Sequence, residues 1–130
     1  MKTKKLLISI ITVLICCLCF IFGGCQKEDK ATVYKAHHIV DANTGEILYQ
    51  LGDTYGSYVL TEDVFVVTLK ESGKAIISRP YFGPAQATSW KQVAEEYIVI
   101  VTDGFEQAYG YTGDTIIVFN GDTNIILVKE

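Results

Sequence analysis

Short runs of β-forming residues, separated by turn residues, constrain the fold of this chain more than any other feature. Between these runs lie dipeptides such as Asp103-Gly104 and Asn120-Gly121. Gly, Asn and Asp tolerate the positive φ of tight hairpins, so these dipeptides are hairpin signals. The predicted strands are residues 33–40, 46–51, 57–60, 64–69, 75–78, 97–102, 106–111, 115–119 and 124–128.

Three of these runs are apolar throughout instead of alternating with polar residues. They are residues 97–101, 116–119 and 125–128. Such strands are typical of sheets covered on both faces, as in a sandwich core or a sheet with a helix packed on it. The sequence therefore predicts a mainly β fold, either a small antiparallel sandwich or a barrel-like sheet.

One short helix is predicted near residues 89–97. Ser89 and Gln92 fit a capping box, with Ser as the N-cap and Gln three residues later. The residues spaced as one apolar helical face are Trp90, Val93, Ala94 and Tyr97. We expect Trp90 to pack against the sheet rather than to contact a ligand.

The N-terminal segment differs sharply from the rest of the chain. Lys2, Lys4 and Lys5 precede an uncharged apolar run over residues 6–22, and Gly23-Gly24-Cys25 follows it. This order resembles the lipobox signal peptide of bacterial lipoproteins, in which an apolar residue and two small residues precede a cysteine. The resemblance implies cleavage before Cys25 and attachment of lipid to that residue.

The resemblance divides the chain into three parts. Residues 1–24 are the lipoprotein signal peptide, residues 25–32 the lipidated cysteine and a polar tether, and residues 33–130 a single β-rich extracytoplasmic domain. The alternative for the first part is an uncleaved N-terminal membrane helix. Both arrangements leave the domain facing outward from the cell membrane, because the lysines stay on the cytoplasmic side. In a Gram-negative cell, Gln26 resembles the pattern of sorting to the outer membrane.

Charge and cysteine content restrict the partners of the domain. The chain has a formal net charge of −4; without its first 24 residues it keeps eight of 11 basic and all 15 acidic residues, a net charge of −7. An acidic domain is unsuited to nucleic acid or to anionic lipid, so the predicted link to the membrane is the lipid on Cys25. No cysteine follows Cys25, which excludes a disulfide framework, a thiolate nucleophile and a cysteine-ligated metal.

Polar residues offer little sign of catalysis, of a cofactor or of a bound metal. His37 and His38 are the two histidines, and neighbours on a regular strand point to opposite faces. They can therefore share an ion only where the strand is irregular. Asp41 begins a segment that resembles part of a calcium loop, but the bidentate Glu at position twelve is absent and Thr44-Gly45 indicates a hairpin turn. We expect no catalytic residues, no cofactor and no metal.

Aromatic residues beside the predicted loops are the candidate binding surface. They are Tyr81, Phe82, Tyr109 and Tyr111. Tyrosine offers a rigid ring with a polar tip and is favoured in recognition surfaces, although it also suits strands. The predicted function is a membrane-anchored cell-envelope lipoprotein with a non-catalytic domain that binds a protein, peptide or glycan. The alternatives are an accessory envelope hydrolase, or its subunit, that uses His37 or His38 as general base, and an inhibitor or immunity-type lipoprotein.

Overall fold

The computed structural model describes residues 28–130, which form a β domain of eleven strands. The predicted signal peptide and Cys25 lie outside the described residues. Among residues 28–130, no helix is long and apolar enough to cross a membrane. A single 3-10 turn, Glu62–Val64, separates β4 from β5. The strands are β1 Ala31–Asp41, β2 Ile47–Gln50, β3 Thr54–Tyr55, β4 Tyr58–Val59, β5 Val66–Lys70, β6 Ala75–Ser78, β7 Ala87–Ala94, β8 Tyr97–Thr102, β9 Phe105–Tyr111, β10 Thr115–Asn120 and β11 Thr123–Lys129.

Eight of these strands form an antiparallel meander that is nearly closed into a barrel. Their order is β6-β5-β1-β11-β10-β9-β8-β7, so β5 to β11 follow the chain and β1 lies between β11 and β5. The end strands meet where Lys74 pairs with Ser89, and the backbone N–H of Trp90 donates to the Gly73 carbonyl at 2.8 Å. The prediction of a mainly β, barrel-like sheet is confirmed.

The inside of the barrel is filled by side chains. Successive residues of a barrel strand alternate between the interior and the exterior, and most inward positions of β8, β10 and β11 are apolar. They are Ile98, Ile100, Ile116, Val118, Ile125 and Leu127, none more than 6% exposed. Each such side chain contributes about 1.5–3 kcal/mol by leaving water. The barrel is therefore a packed core.

Strand β1 bridges two parts of the fold. One edge pairs with β11, while the other pairs first with β5 and then with β2. The segment between β1 and β5 carries β2 to β4 and adds Leu60, Val64 and Phe65 to the core. An aromatic series packs this insertion against Phe82 of the β6–β7 loop: the rings of Tyr49, Tyr55, Tyr58, Phe82 and Phe65 each contact the next.

The prediction of a helix near residues 89–97 is wrong, because this segment forms most of β7 and the start of β8. The backbone of β8 runs beside the core, so its donors and acceptors need partners, which β7 supplies along its length. Trp90 still packs on the core, and its indole Nε1 donates to the Lys70 carbonyl at 2.8 Å. The other residues of the expected apolar face are exposed, including Val93 and Tyr97. Pairing along β8 outweighs the local helical spacing.

The end of the expected tether belongs to the folded domain. β1 begins at Ala31, and the Lys30 carbonyl accepts a hydrogen bond from the Glu71 backbone at 2.9 Å. The Asp29 carboxylate accepts from the backbone and the hydroxyl of Ser72, at 2.9 and 2.7 Å. These bonds to Ser72 lower the pKa of Asp29. The chain is thus attached to the β5–β6 turn from Asp29 onward.

Candidate functional site

The four aromatic residues of the predicted binding surface do not lie together. Tyr81 is 60% exposed and stacks on Tyr58, with ring centroids 4.7 Å apart, and Phe82 beside it is half-buried. Tyr111 packs edge-on against Tyr34 and Trp90 instead. Tyr109 is 1% exposed, since it occupies an inward position of β9. The four side chains are divided between two clusters and the core.

A different surface arises where the register of the strands aligns apolar residues on the outside of the barrel. One row runs across six strands: Tyr97, Gly110, Ile117, Ile126, His38 and Gln50. The next row is Phe119, Asn124, Val40 and Ile47. Directly opposed residues share a face of the sheet. We call the apolar members of these rows the outer apolar face: Tyr97, Ile117, Phe119, Ile126, Val40 and Ile47.

A groove lies at one end of the outer apolar face, over the short stretch where β9 and β10 pair. The two strands pair only at Tyr111 with Ile116 and at Gly110 with Ile117. The cavity there has a volume of about 480 Å³ and is lined by Tyr97, Gly110, Ile117 and Phe119, among others. Beyond these pairs, residues 105–109 of β9 and 118–120 of β10 do not pair with each other. Their facing edges carry the kind of backbone groups that bind an added strand.

Gly110 is the floor of this groove. A Cβ atom at this position would lie 2.9 Å from the Cβ of Ile117, closer than real Cβ atoms approach. Since φ of Gly110 is not positive, backbone conformation does not demand glycine there. The requirement is space: glycine lets the Ile117 side chain lie across β9 and shape the apolar wall.

The rim of the groove carries uncompensated negative charge. Glu95 and Glu96 form the β7–β8 turn and line the groove beside Tyr97. Among residues 28–130, the ion pairs are Lys35 with Glu130 at 3.4 Å and Lys91 with Glu106 at 3.8 Å. Neither pair includes the two glutamates. The groove therefore combines an apolar wall with an acidic rim.

The two histidines lie at the other end of the outer apolar face, on an irregular part of β1. Its register against β11 shifts between Ala36 and His38, so His37 is an extra residue in the strand. Consequently both imidazoles meet, with 2.8 Å between the two Nδ1 atoms. Burial lowers the pKa of His38, and the neighbouring His37 lowers it further. A cavity of about 350 Å³ beside the pair is also lined by Ile47, Gln50 and Leu51.

The segment that begins at Asp41 is a hairpin turn, as predicted. The Asp41 carboxylate accepts backbone hydrogen bonds from Asn43 at 2.8 Å and Thr44 at 3.0 Å. These bonds lower the pKa of Asp41. Gly45 has φ of 75° and donates to the Asp41 carbonyl at 2.9 Å. The carboxylate thus stabilises the turn.

Three polar atoms inside the barrel have no hydrogen-bond partner among the described residues. They are Nε of Arg79 and the hydroxyl groups of Thr102 and Tyr109. Burial raises the pKa of Tyr109, while the Arg79 charge and the Thr102 hydroxyl oppose that rise. Thr102 and Tyr109 both point inward, from the neighbouring strands β8 and β9. We call these three polar groups the polar island of the core.

Sequence reasoning missed the outer apolar face, although its signal was present. The runs at 97–101, 116–119 and 125–128 contain at least as many outward as inward apolar positions. We expected another layer to cover them, but within residues 28–130 the second sheet has only the two short strands β3 and β4, and the hydroxyl of its Tyr55 meets that of Thr123 at the start of β11, at 3.5 Å. Their outward residues are instead half-buried or exposed.

Neither a cluster of three or more metal-ligand residues in the described part of the chain nor a known protein indicates a role for these surfaces. Within residues 28–130, no group of three or more His, Cys, Asp or Glu side chains is placed to hold a metal ion. No protein-family model, curated protein or solved structure matches the chain.

Proposed function

We propose that this protein is a membrane-anchored cell-envelope lipoprotein whose barrel binds an extended apolar segment of another envelope protein. The observation that carries the proposal is the outer apolar face with its groove between β9 and β10. Tyr97, Phe119 and Ile47 are 44%, 48% and 52% exposed. Contiguous apolar surface of this kind is typical of interaction sites. The role is non-catalytic and rests on shape and apolar contact.

The divergence of β9 and β10 favours an extended segment as the occupant. An added strand forms main-chain hydrogen bonds with an unpaired strand edge, while pockets beside it receive alternate side chains. Residues 118–120 of β10 offer such an edge next to the groove. Phe119 and Tyr97 flank the groove and are available to contact the side chains of the added strand.

Charge favours a segment that carries Lys or Arg beside its apolar residues. Glu95 and Glu96 line the groove without ion-pair partners in the described part of the chain. The domain is also acidic as a whole, with nearly twice as many acidic as basic residues after position 25. Complementary charge increases the rate of association and selects among apolar partners.

The attachment at Asp29 determines how closely the proposed anchor holds the domain. Four residue steps separate Cys25 from Asp29, a reach of at most about 14 Å. The β5–β6 turn bound to Asp29 would then lie close to the bilayer. A tether this short raises the local concentration of membrane-bound partners around the groove.

The anchor is tested by replacing Cys25 with alanine. We expect Cys25→Ala to lose incorporation of labelled fatty acid and to retain the mass of the uncleaved chain, because acylation and cleavage both depend on the cysteine. Ser57→Ala, at an exposed position of the β3–β4 hairpin, is the control. If Cys25→Ala still incorporated the label and had the mass of the processed wild type, the lipoprotein proposal would be contradicted.

The binding face is tested by photo-crosslinking in the membrane of the producing cell. A photoreactive phenylalanine at position 119 probes the face, and the same residue at position 76 is the control. Ile76 is 52% exposed and lies on β6, four strands away in the barrel. We expect one discrete adduct at position 119, joined to a segment with apolar residues and at least one Lys or Arg.

Glu95→Gln/Glu96→Gln should weaken that adduct, since it removes the acidic rim. Equal adducts at positions 119 and 76, or none at position 119, would contradict the proposed face. If His37→Ala/His38→Ala abolished the cellular function of the protein and Phe119→Ser did not, the hydrolase alternative would be favoured instead.

A further inference from the structure

His37 and His38 place both of their Nδ1 atoms on the same side of β1, away from the groove of the proposed binding face. In a regular strand their side chains would point to opposite faces. The extra residue in β1 turns both to one side, and their rings meet at 85° with centroids 5.0 Å apart. Both Nδ1 atoms thus lie next to the same region of space, on the wall of the cavity beside β2.

The distance between the two Nδ1 atoms matches neighbouring positions around a transition-metal ion. Bonds of about 2.0 Å that meet at a right angle separate two nitrogens by about 2.8 Å, whereas tetrahedral geometry separates them by about 3.3 Å. The observed separation is 2.8 Å. Right-angled imidazole ligation is typical of tetragonal Cu(II) and Ni(II) rather than of structural zinc.

The surroundings of the pair suit a weakly held, accessible ion. Gln50 is the cross-strand partner of His38 and lines the same cavity, so its amide oxygen is a candidate third donor. Ile47 and Leu51 form apolar walls. Within residues 28–130 no third His, Cys, Asp or Glu joins the pair, which leaves the remaining positions of the ion to water.

Metal ligation requires neutral imidazoles, because a protonated ring has no lone pair to donate. The same contact in the metal-free protein is a hydrogen bond in which one Nδ1–H donates to the other Nδ1. When a divalent ion binds, the donor ring would carry its proton on Nε2 instead of Nδ1, so that both Nδ1 lone pairs face the ion.

We propose that His37 and His38 form a Cu(II) site in which each imidazole binds the ion through Nδ1. Ni(II) fits the same geometry, and Zn(II) fits it less well. The site adjoins the outer apolar face at Ile47 and does not require a peptide in the groove.

Metal titration of the full chain in detergent tests the site. Addition of CuSO4 should produce a tetragonal Cu(II) spectrum at one equivalent, with two nitrogen ligands in the electron paramagnetic resonance signal. His37→Ala and His38→Ala should each weaken Cu(II) binding at least tenfold, and Asn43→Ala, on an exposed turn, should not change it. The same titration with ZnCl2 should give weaker binding than CuSO4.

Paramagnetic line broadening gives a second measurement that needs no variant. In the wild-type chain, Cu(II) should first broaden the amide signals of Ile47, Gln50 and Leu51, and should leave Phe105 sharp. Cu(II) affinity that is equal in the wild type and both histidine variants would overturn the proposal and leave a hydrogen-bonded pair only. Broadening that begins elsewhere would overturn it as well.

Discussion

The inner and outer faces of β10 and β11 are built from the same kinds of residue but meet different surroundings. Ile116, Val118, Ile125 and Leu127 point inward and are at most 6% exposed. The outward residues of the same strands are more exposed: Ile117 and Ile126 are half-buried, and Phe119 is 48% exposed. A fully apolar run therefore does not prove that a sheet is covered on both faces. The inner residues serve stability, and the outer ones are available for recognition.

The largest expected contrast comes from neighbouring isoleucines of β11. Ile125→Ala should lower the free energy of unfolding by about 2–5 kcal/mol, because it leaves a cavity in the packed core. Ile126→Ala removes the same atoms from the outer face and should cost less than about 1 kcal/mol, as partly exposed groups lose little burial. Denaturant unfolding measures both. Similar losses in the two variants would show that the outer face is covered.

The second contrast tests the wall of the groove. Gly110→Ala should destabilise the domain by about 1–3 kcal/mol, because its Cβ overlaps the Ile117 side chain. Ile117→Gly removes that Cβ, so Gly110→Ala should destabilise an Ile117→Gly background less than it destabilises the wild type. Thermal unfolding of the wild type, both single variants and the double variant measures the two effects. An equal loss in both backgrounds would show that the close contact is not what requires glycine.

The third contrast lies within the core, between its apolar residues and the polar island. Thr102 is 5% exposed and its hydroxyl has no partner among the described residues. Thr102→Val keeps the shape and removes the unsatisfied group, which should stabilise the domain by about 1 kcal/mol. Tyr109→Phe should act in the same direction. A loss of stability in both variants would reveal partners that these hydroxyls depend on.

The smallest contrast appears only at alkaline pH. Burial raises the pKa of Tyr58 from its ordinary 10.0 to about 12. Between these values the folded chain keeps a proton that the unfolded chain has lost, so stability is complete below pH 10 and falls as pH rises toward 12. Tyr58→Phe should flatten this fall, as measured by unfolding at pH 8 and pH 11.5. If the free energy of unfolding fell equally between pH 8 and pH 11.5 in Tyr58→Phe and in the wild type, the Tyr58 hydroxyl would be hydrated rather than buried.

The strands could be predicted from the sequence because turn residues and apolar runs are local signals. Dipeptides such as Asp103-Gly104 mark hairpins wherever they occur, and all nine predicted strands are present. β7 could not be predicted in this way, since Trp90 and Val93 have helical spacing and become strand residues only by pairing with β8. Local spacing says nothing about which neighbour is available.

The candidate sites were less predictable because they depend on register. The outer apolar face exists only when Tyr97, Ile117 and Ile126 are aligned across four strands. The meeting of His37 and His38 depends on one extra residue in β1, which is defined only against β11. The composition of a strand shows neither alignment nor irregularity.

The most direct measurement is a binding titration with a synthetic peptide of the segment that position 119 captures. Nuclear magnetic resonance should show shifts at Tyr97, Gly110, Ile117 and Phe119. Phe119→Ser should raise Kd at least tenfold, and Ile76→Ser should leave it unchanged. A twin peptide with Glu in place of its basic residues should bind more weakly. Shifts on another face, or equal Kd values in the two variants, would contradict the outer apolar face as the binding surface.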